Sequence, residues 1–190
     1  MHRELGDRAS TKNPLTLLGT LSMLQGDYPA ALAYHEESLA IARELGDQRF
    51  VAIVLHVLAT LARLQGDLET ARTRDTQALR FHHALENREE MLCLVGFGCL
   101  AVMTGEKAEQ AGEAADRWFA RGARLFGAGE AQREVSGLVI WCEERPLYER
   151  CVAAARAALG EEAFAAAWAK GRALSLEAAV AYAVGEDASG

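Results

Sequence analysis

Proline is scarce in this sequence: only Pro14, Pro29 and Pro146 occur among 190 residues. Long uninterrupted helices are therefore permitted, since proline is the residue that most strongly breaks them. β-Branched residues are also sparse, and nowhere do they alternate beside turn dipeptides, which excludes strands. Apolar runs stay far below the roughly 20 residues of a membrane span. The opening Met1-His2-Arg3-Glu4 leads into polar residues rather than a signal peptide. A cytoplasmic protein without a membrane partner is expected. Clusters of positive charge are missing too. The 20 Lys and Arg are scattered among 27 Asp and Glu, for a net charge of -7. Phosphate backbones need concentrated cations, so direct nucleic-acid binding is excluded. The four cysteines, Cys93, Cys99, Cys142 and Cys151, form no CxxC pair and read as buried free thiols. No GxSxG, HExxH, GxGxxG or GxxxxGK[ST] occurs. We expect no catalytic residue, no cofactor and no metal.

What is present is alanine, leucine and a repeat. Hydrophobic residues make up 51% of the chain, enough to exclude disorder over most of its length. Alanine and leucine lose little rotamer freedom in a helix, so the fold class is all-α. Arg3-Glu4-Leu5-Gly6-Asp7 recurs as Arg43-Glu44-Leu45-Gly46-Asp47, and Leu24-Gln25-Gly26-Asp27 as Leu64-Gln65-Gly66-Asp67, both at an interval of 40. Thr104-Gly105-Glu106 is a weaker third copy. Each copy reads as an antiparallel helix pair. The glycine ends one helix in the left-handed conformation, and the acidic residue caps the next. The pattern predicts helices over 14–25, 28–45, 48–65, 68–85 and 89–104, and an interrupted one over 107–135. After a connector at 136–145 come helices near 146–159, 161–171 and 176–184. The organisation expected is repeats over 1–106 with a truncated first unit, a degenerate repeat and C-terminal helical cap over 107–185, and a frayed tail at 186–190.

Isolated candidates for chemistry have simpler readings. His82 and His83 are adjacent, so their side chains diverge by about 100° on a helix and chelate poorly; they read as surface polarity. His35 and His56 read as core histidines. Doublets such as Glu161-Glu162 suit the positive end of a helix dipole rather than acid–base work. Ser175 reads as an N-cap. The aromatic residues gather in the second half, around Trp118, Trp141 and Trp168. They read as a larger core, or else as a pocket near Trp141. Leu138-Val139-Ile140-Trp141 is an exposed apolar patch unless something covers it.

Leu18-Gly19, Gly26, Ala31 and Leu39, echoed by Leu58-Ala59, Gly66, Ala71, Ala78 and Leu79, resemble the spaced small and large positions of the tetratricopeptide repeat family. Phe97-Gly98 and Gly105 begin a third copy, with Gln110 where a small alanine belongs. The resemblance covers about 3–106 and implies a superhelix with a ligand groove lined by the first helix of each pair. Carried over, the groove positions are Asn13, Thr16 and Thr20 in the first unit and His56, Thr60 and Arg63 in the second. Thr60 and Arg63, three apart on one helix face, are candidates for a peptide backbone or carboxylate.

A second resemblance begins at Ala123-Arg124-Leu125-Phe126-Gly127-Ala128-Gly129 and ends with Trp168-Ala169-Lys170-Gly171-Arg172-Ala173-Leu174-Ser175 and the residues to Val180. These stretches are similar to the closing helices of bacterial LuxR-type and AfsR-type ATPase regulators. The resemblance implies a sensor or assembly module without its ATPase and DNA-binding parts. The expected function is a non-catalytic scaffold that binds a protein or peptide in signal transduction and transcription regulation. The alternative is a helical domain that senses a small-molecule effector in a pocket among the C-terminal helices. Because residues 3–7 match the end of a second helix, the chain is expected to begin inside a unit. Self-association through that N-terminal repeat edge is then a possible way to cover its apolar face.

Overall fold

The computed structural model describes residues 2–85 and 89–185. The described residues form nine α-helices and no strand: α1 (His2–Leu24), α2 (Tyr28–Glu44), α3 (Gln48–Leu64), α4 (Leu68–Ala84), α5 (Glu90–Gln110), α6 (Asp116–Ser136), α7 (Arg145–Leu159), α8 (Glu161–Arg172) and α9 (Leu176–Val184). The chain divides into two compact units, Met1–Asn87 and Arg88–Gly190.

In the first unit the Gly-Asp steps set the geometry. Gly26, Gly46 and Gly66 all have positive φ, between 67° and 78°. The next residue in each case is an N-cap. The Asp27, Asp47 and Asp67 carboxylates accept from the backbone N–H of Ala30, Phe50 and Thr70 at 3.1, 3.1 and 3.0 Å. These satisfy donors that a helix start otherwise leaves open. The caps recur every 20 residues and separate helices of 17 residues each. Beyond the 34 residues of a standard tetratricopeptide unit, the interval of 40 thus goes into longer helices, while the turns stay tight. α1 packs on α2, α2 on α3, and α3 on α4, so neighbours in sequence are neighbours in space.

Two sequence expectations fail here for one reason. A glycine inside a helix costs about 1 kcal/mol and a proline about 3 kcal/mol, and packing can override either. The first helix does not start near residue 14: α1 runs from His2 through Gly6-Asp7 and Pro14. Nor does Thr104-Gly105-Glu106 end a helix, because α5 continues to Gln110. The chain turns instead at Gly112, at φ 75°, where the Glu113 N–H reaches back to the Ala108 carbonyl at 2.9 Å.

The second unit is built on the α5–α6 pair, with α7 and α8 against α6 and α9 against both α5 and α6. Glycines let these helices approach. Where Gly98 and Gly122 lack side chains, the Phe126 ring and the Val102 side chain fill the space; a Cβ at either position would lie within 2.6 Å of them. Gly105 gives the same room to Trp118 and Phe119. At the α6–α8 crossing the contact is backbone to backbone. A Cβ on Gly127 would meet the Trp168 carbonyl oxygen at 2.1 Å, and one on Gly171 the Arg124 oxygen at 1.8 Å. Arg121 donates to the Tyr182 and Ala183 carbonyls at 2.5 and 3.0 Å and closes the end of α9. Ser175 caps α9 as expected, accepting from Ala178 N–H at 3.2 Å.

Among the described residues, Met91–Gln110 within α5 is long and apolar enough to cross a membrane, but 78% of its most apolar window is buried within the protein, as in a core helix. The tail expected to fray, 186–190, lies outside the described residues.

Candidate functional site

Three of the six groove candidates meet in the interior of the α3–α4 pair. His56, Thr60 and Arg63 occupy one face of α3, at spacings of four and three. Opposite them, Asp75 stands on the face of α4 that carries Ala71, Ala78 and His82. His56 Nδ1 lies 3.1 Å from Asp75 Oδ1. The Arg63 guanidinium pairs with Asp75 Oδ2 and donates to the Thr60 hydroxyl at 2.6 Å. That hydroxyl in turn donates to the His56 carbonyl at 3.2 Å. All four residues are 0–1% exposed.

The groove candidates His56, Thr60 and Arg63 are thus interior side chains in this structure. They present almost no surface to a groove, and they make hydrogen bonds and an ion pair with one another and with Asp75. What the arrangement does chemically is neutralise a buried charge, which would otherwise be costly to hold inside a protein. Asp75 was missed in the sequence. The signal was there: a lone carboxylate between Ala71 and Ala78, on the face of α4 that must be apolar.

The other three candidates lie on α1 and do not form an equivalent network. Asn13 is exposed, while Thr16 and Thr20 are half-buried. The Thr16 hydroxyl is 2.8 Å from the Ser38 hydroxyl and donates to the Lys12 carbonyl at 3.1 Å. Lys12 itself pairs with Asp47 and lies 4.5 Å over the Phe50 ring. Its hydrogen bond to Asp47 is the main reason that carboxylate is held below its usual pKa.

The interval of 40 matches His35 with Asp75 and Met23 with Arg63. The first pair thus has an imidazole where the second has a carboxylate, and a thioether in place of the guanidinium. His35 is fully buried, and neither ring nitrogen has a hydrogen-bond partner among the described residues. Burial pushes its pKa down to about 4. His82 is corrected from surface to interior: it is 1% exposed. Burial first, then nearby His56 and Arg49, lowers its pKa to about 4. His83 is exposed, as read.

The outstanding surface of the first unit is on α1. Leu17, Leu18, Leu21 and Leu24 are 66%, 45%, 55% and 54% exposed. Their counterparts one interval later, Val57, Leu58 and Leu61, are at most 2% exposed, and Leu64 is half-buried. On the second helices, a cleft of about 340 Å³ lies between α2 and α4 over Leu39 and Leu55. The Glu36–Arg74 ion pair crosses it at 2.7 Å.

In the second unit, the apolar connector is largely covered. Leu138, Ile140 and Trp141 pack with Tyr148 on Met91, Leu92 and Val95, leaving Val139 59% exposed. Trp168 lies against Phe164, ring centroids 5.5 Å apart. Cys93, Cys99 and Cys151 are buried and Cys142 is exposed, with no disulfide among the described residues.

Neither the curated proteins nor the solved structures yield a significant match to the chain. The tetratricopeptide repeat family matches residues 7–82, less than half of the sequence. That stretch runs from within α1 to the last turn of α4. Tetratricopeptide repeats are generally non-catalytic modules for protein–protein interaction. The family match and the capped, antiparallel helix pairs of α1–α4 are consistent with a tetratricopeptide-like repeat fold in the first unit.

Proposed function

We propose that this protein is a non-catalytic scaffold for protein–protein interaction, and that the outer face of α1 is where it docks. The observation that carries this reading is the contrast within the repeat. Leucines exposed on α1 stand at positions whose α3 counterparts are inside. Contiguous apolar surface of this kind on a soluble fold marks a binding site. Asn13, exposed beside the leucines, remains a polar contact at the rim, with Thr16 and Thr20 at the edge. The groove is thus proposed on α1 rather than across α1 and α3. A regulatory setting, as the sensor or assembly module of a LuxR-type or AfsR-type regulator, rests on the resemblance of residues 123–180 alone. A small-molecule pocket at Trp141 is disfavoured, because Trp141 packs with Leu138, Ile140 and Tyr148 on Met91, Leu92 and Val95.

The test is site-specific photocrosslinking in cells expressing the chain. A crosslinker replacing Leu17 is expected to capture protein in a defined band. One replacing Val139, exposed in the second unit, is the control. Equal capture at both positions, or none at Leu17, would overturn the assignment of α1.

A further inference from the structure

We infer that the occupant of the α1 face is α1 of a second copy of this chain, packed antiparallel with Leu21 at the two-fold axis. This rests on the reading of α1 as a docking face and names its partner.

The argument begins with charge. Between Lys12 and Asp27 the sequence has no charged residue, although a quarter of the chain is charged. Lys12 is itself engaged with Asp47. The exposed face of α1 over this stretch consists of Asn13, Pro14 and the four leucines. Two molecules that each carry a net charge of -7 repel one another over most approaches, since like charges brought together at an interface are unfavourable. A face without charge is where that repulsion is least. A partner chosen by electrostatic complementarity to an acidic protein would instead be met by charged residues around the apolar patch, and α1 supplies none there.

Spacing gives the second strand of the argument. Leu17, Leu21 and Leu24 are four and three apart, the seam spacing of packed helix pairs. Leu18 flanks the seam on the same side. Leu21 lies near the middle of the seam, so a two-fold axis there brings Leu17 of one copy opposite Leu24 of the other. A self-complementary patch is what a two-fold contact requires. The antiparallel arrangement also sets the helix dipoles against one another.

Sedimentation velocity of the full chain over a range of concentrations is expected to show a reversible monomer–dimer equilibrium. Leu21→Glu should weaken it at least tenfold, with helix content by circular dichroism unchanged, since the side chain is 55% exposed. In a Cys142→Ser background, Leu21→Cys should form a disulfide-linked dimer under mild oxidation. Leu17→Cys and Leu24→Cys should each crosslink to themselves much less than Leu21→Cys, and should crosslink to one another when the two variants are mixed. A monomer at all concentrations, or a dimer indifferent to Leu21→Glu, would overturn the inference. So would equal self-crosslinking at all three positions, which would place the helices parallel. If the chain stays monomeric while photocrosslinking through Leu17 captures a different protein, the docking face stands and the second copy falls.

Discussion

Gly19 lies directly against the imidazole of His35: a Cβ built on the glycine would come within 2.6 Å of Nε2 and 2.7 Å of Cε1. The missing side chain on α1 makes room for the ring on α2, and the pair forms the centre of the first repeat. At the equivalent place in the second repeat stand Ala59 and Asp75. One fold position thus holds a neutral ring in one copy and a carboxylate matched to a buried cation in the next.

Gly19→Ala should destabilise the first unit. Alanine gains about 1 kcal/mol of helix propensity over glycine. Overpacking a filled interior costs about 1–3 kcal/mol, and His35 is buried with no open side to move toward. The clash wins, with a net loss of roughly 1 kcal/mol in the unfolding free energy measured in urea. The double variant Gly19→Ala, His35→Ala should lose less than the sum of the two single changes, because the methyl group then enters vacated space.

Acid should weaken the first unit through its buried histidines. The folded state holds His35 with a pKa lowered to about 4, against about 6.5 when unfolded. The folded protein therefore favours the neutral ring. That contribution is fully present above pH 6.5 and is lost as pH falls through about 4, to a total on the order of 3 kcal/mol. His82 acts in the same direction over the same window. His35→Leu should flatten the fall in stability between pH 6.5 and 4 by about half of what His35→Leu and His82→Leu achieve together. Denaturant unfolding at a series of pH values measures this, and an unchanged slope would show that the rings are not the titrating groups.

Asp75→Asn should be among the most damaging single changes in α1–α4. It removes the carboxylate that both His56 and Arg63 contact. Breaking one side of a buried ion pair typically costs about 3–5 kcal/mol. Replacing both partners, as Arg63→Met with Asp75→Leu, should recover much of that loss, because no buried charge remains. Thermal unfolding of the two variants side by side decides the matter. If the double variant is no better than the single one, the pair contributes more than charge balance.

Gly171→Ala should separate α6 from α8. The methyl group would meet a backbone oxygen at 1.8 Å, and a carbonyl inside a helix cannot turn away as a side-chain tip can. The helices themselves must move, at a cost of about 3 kcal/mol. Hydrogen exchange should speed up in α8 and in the facing part of α6 while α1–α4 keep their protection. Uniform loss of protection throughout the chain would contradict a local effect.

Most of the helix pattern was legible in the sequence, for a local reason. A glycine that takes positive φ followed by an aspartate that caps the next helix is a signal complete within four residues. Gly26-Asp27, Gly46-Asp47 and Gly66-Asp67 therefore mark true turns. Gly105-Glu106 looks alike and is not a turn, because at Gly105 the deciding neighbours are Trp118 and Phe119 on another helix. The candidate site was less legible. Thr60 and Arg63 share a helix face as their spacing says, but spacing does not tell whether that face meets solvent or Asp75.

The sequence by itself determined the all-α class, the interval of 40 and the capped turns that divide it, since hydrogen bonding at a helix end depends on adjacent residues. Only the tertiary structure decided that Arg63 is inside, that Gly127 and Gly171 admit backbone contact, and that Leu17, Leu18, Leu21 and Leu24 face outward while Val57, Leu58 and Leu61 do not. Burial depends on what lies beside a helix, and two copies of one repeat with the same local pattern can have different neighbours.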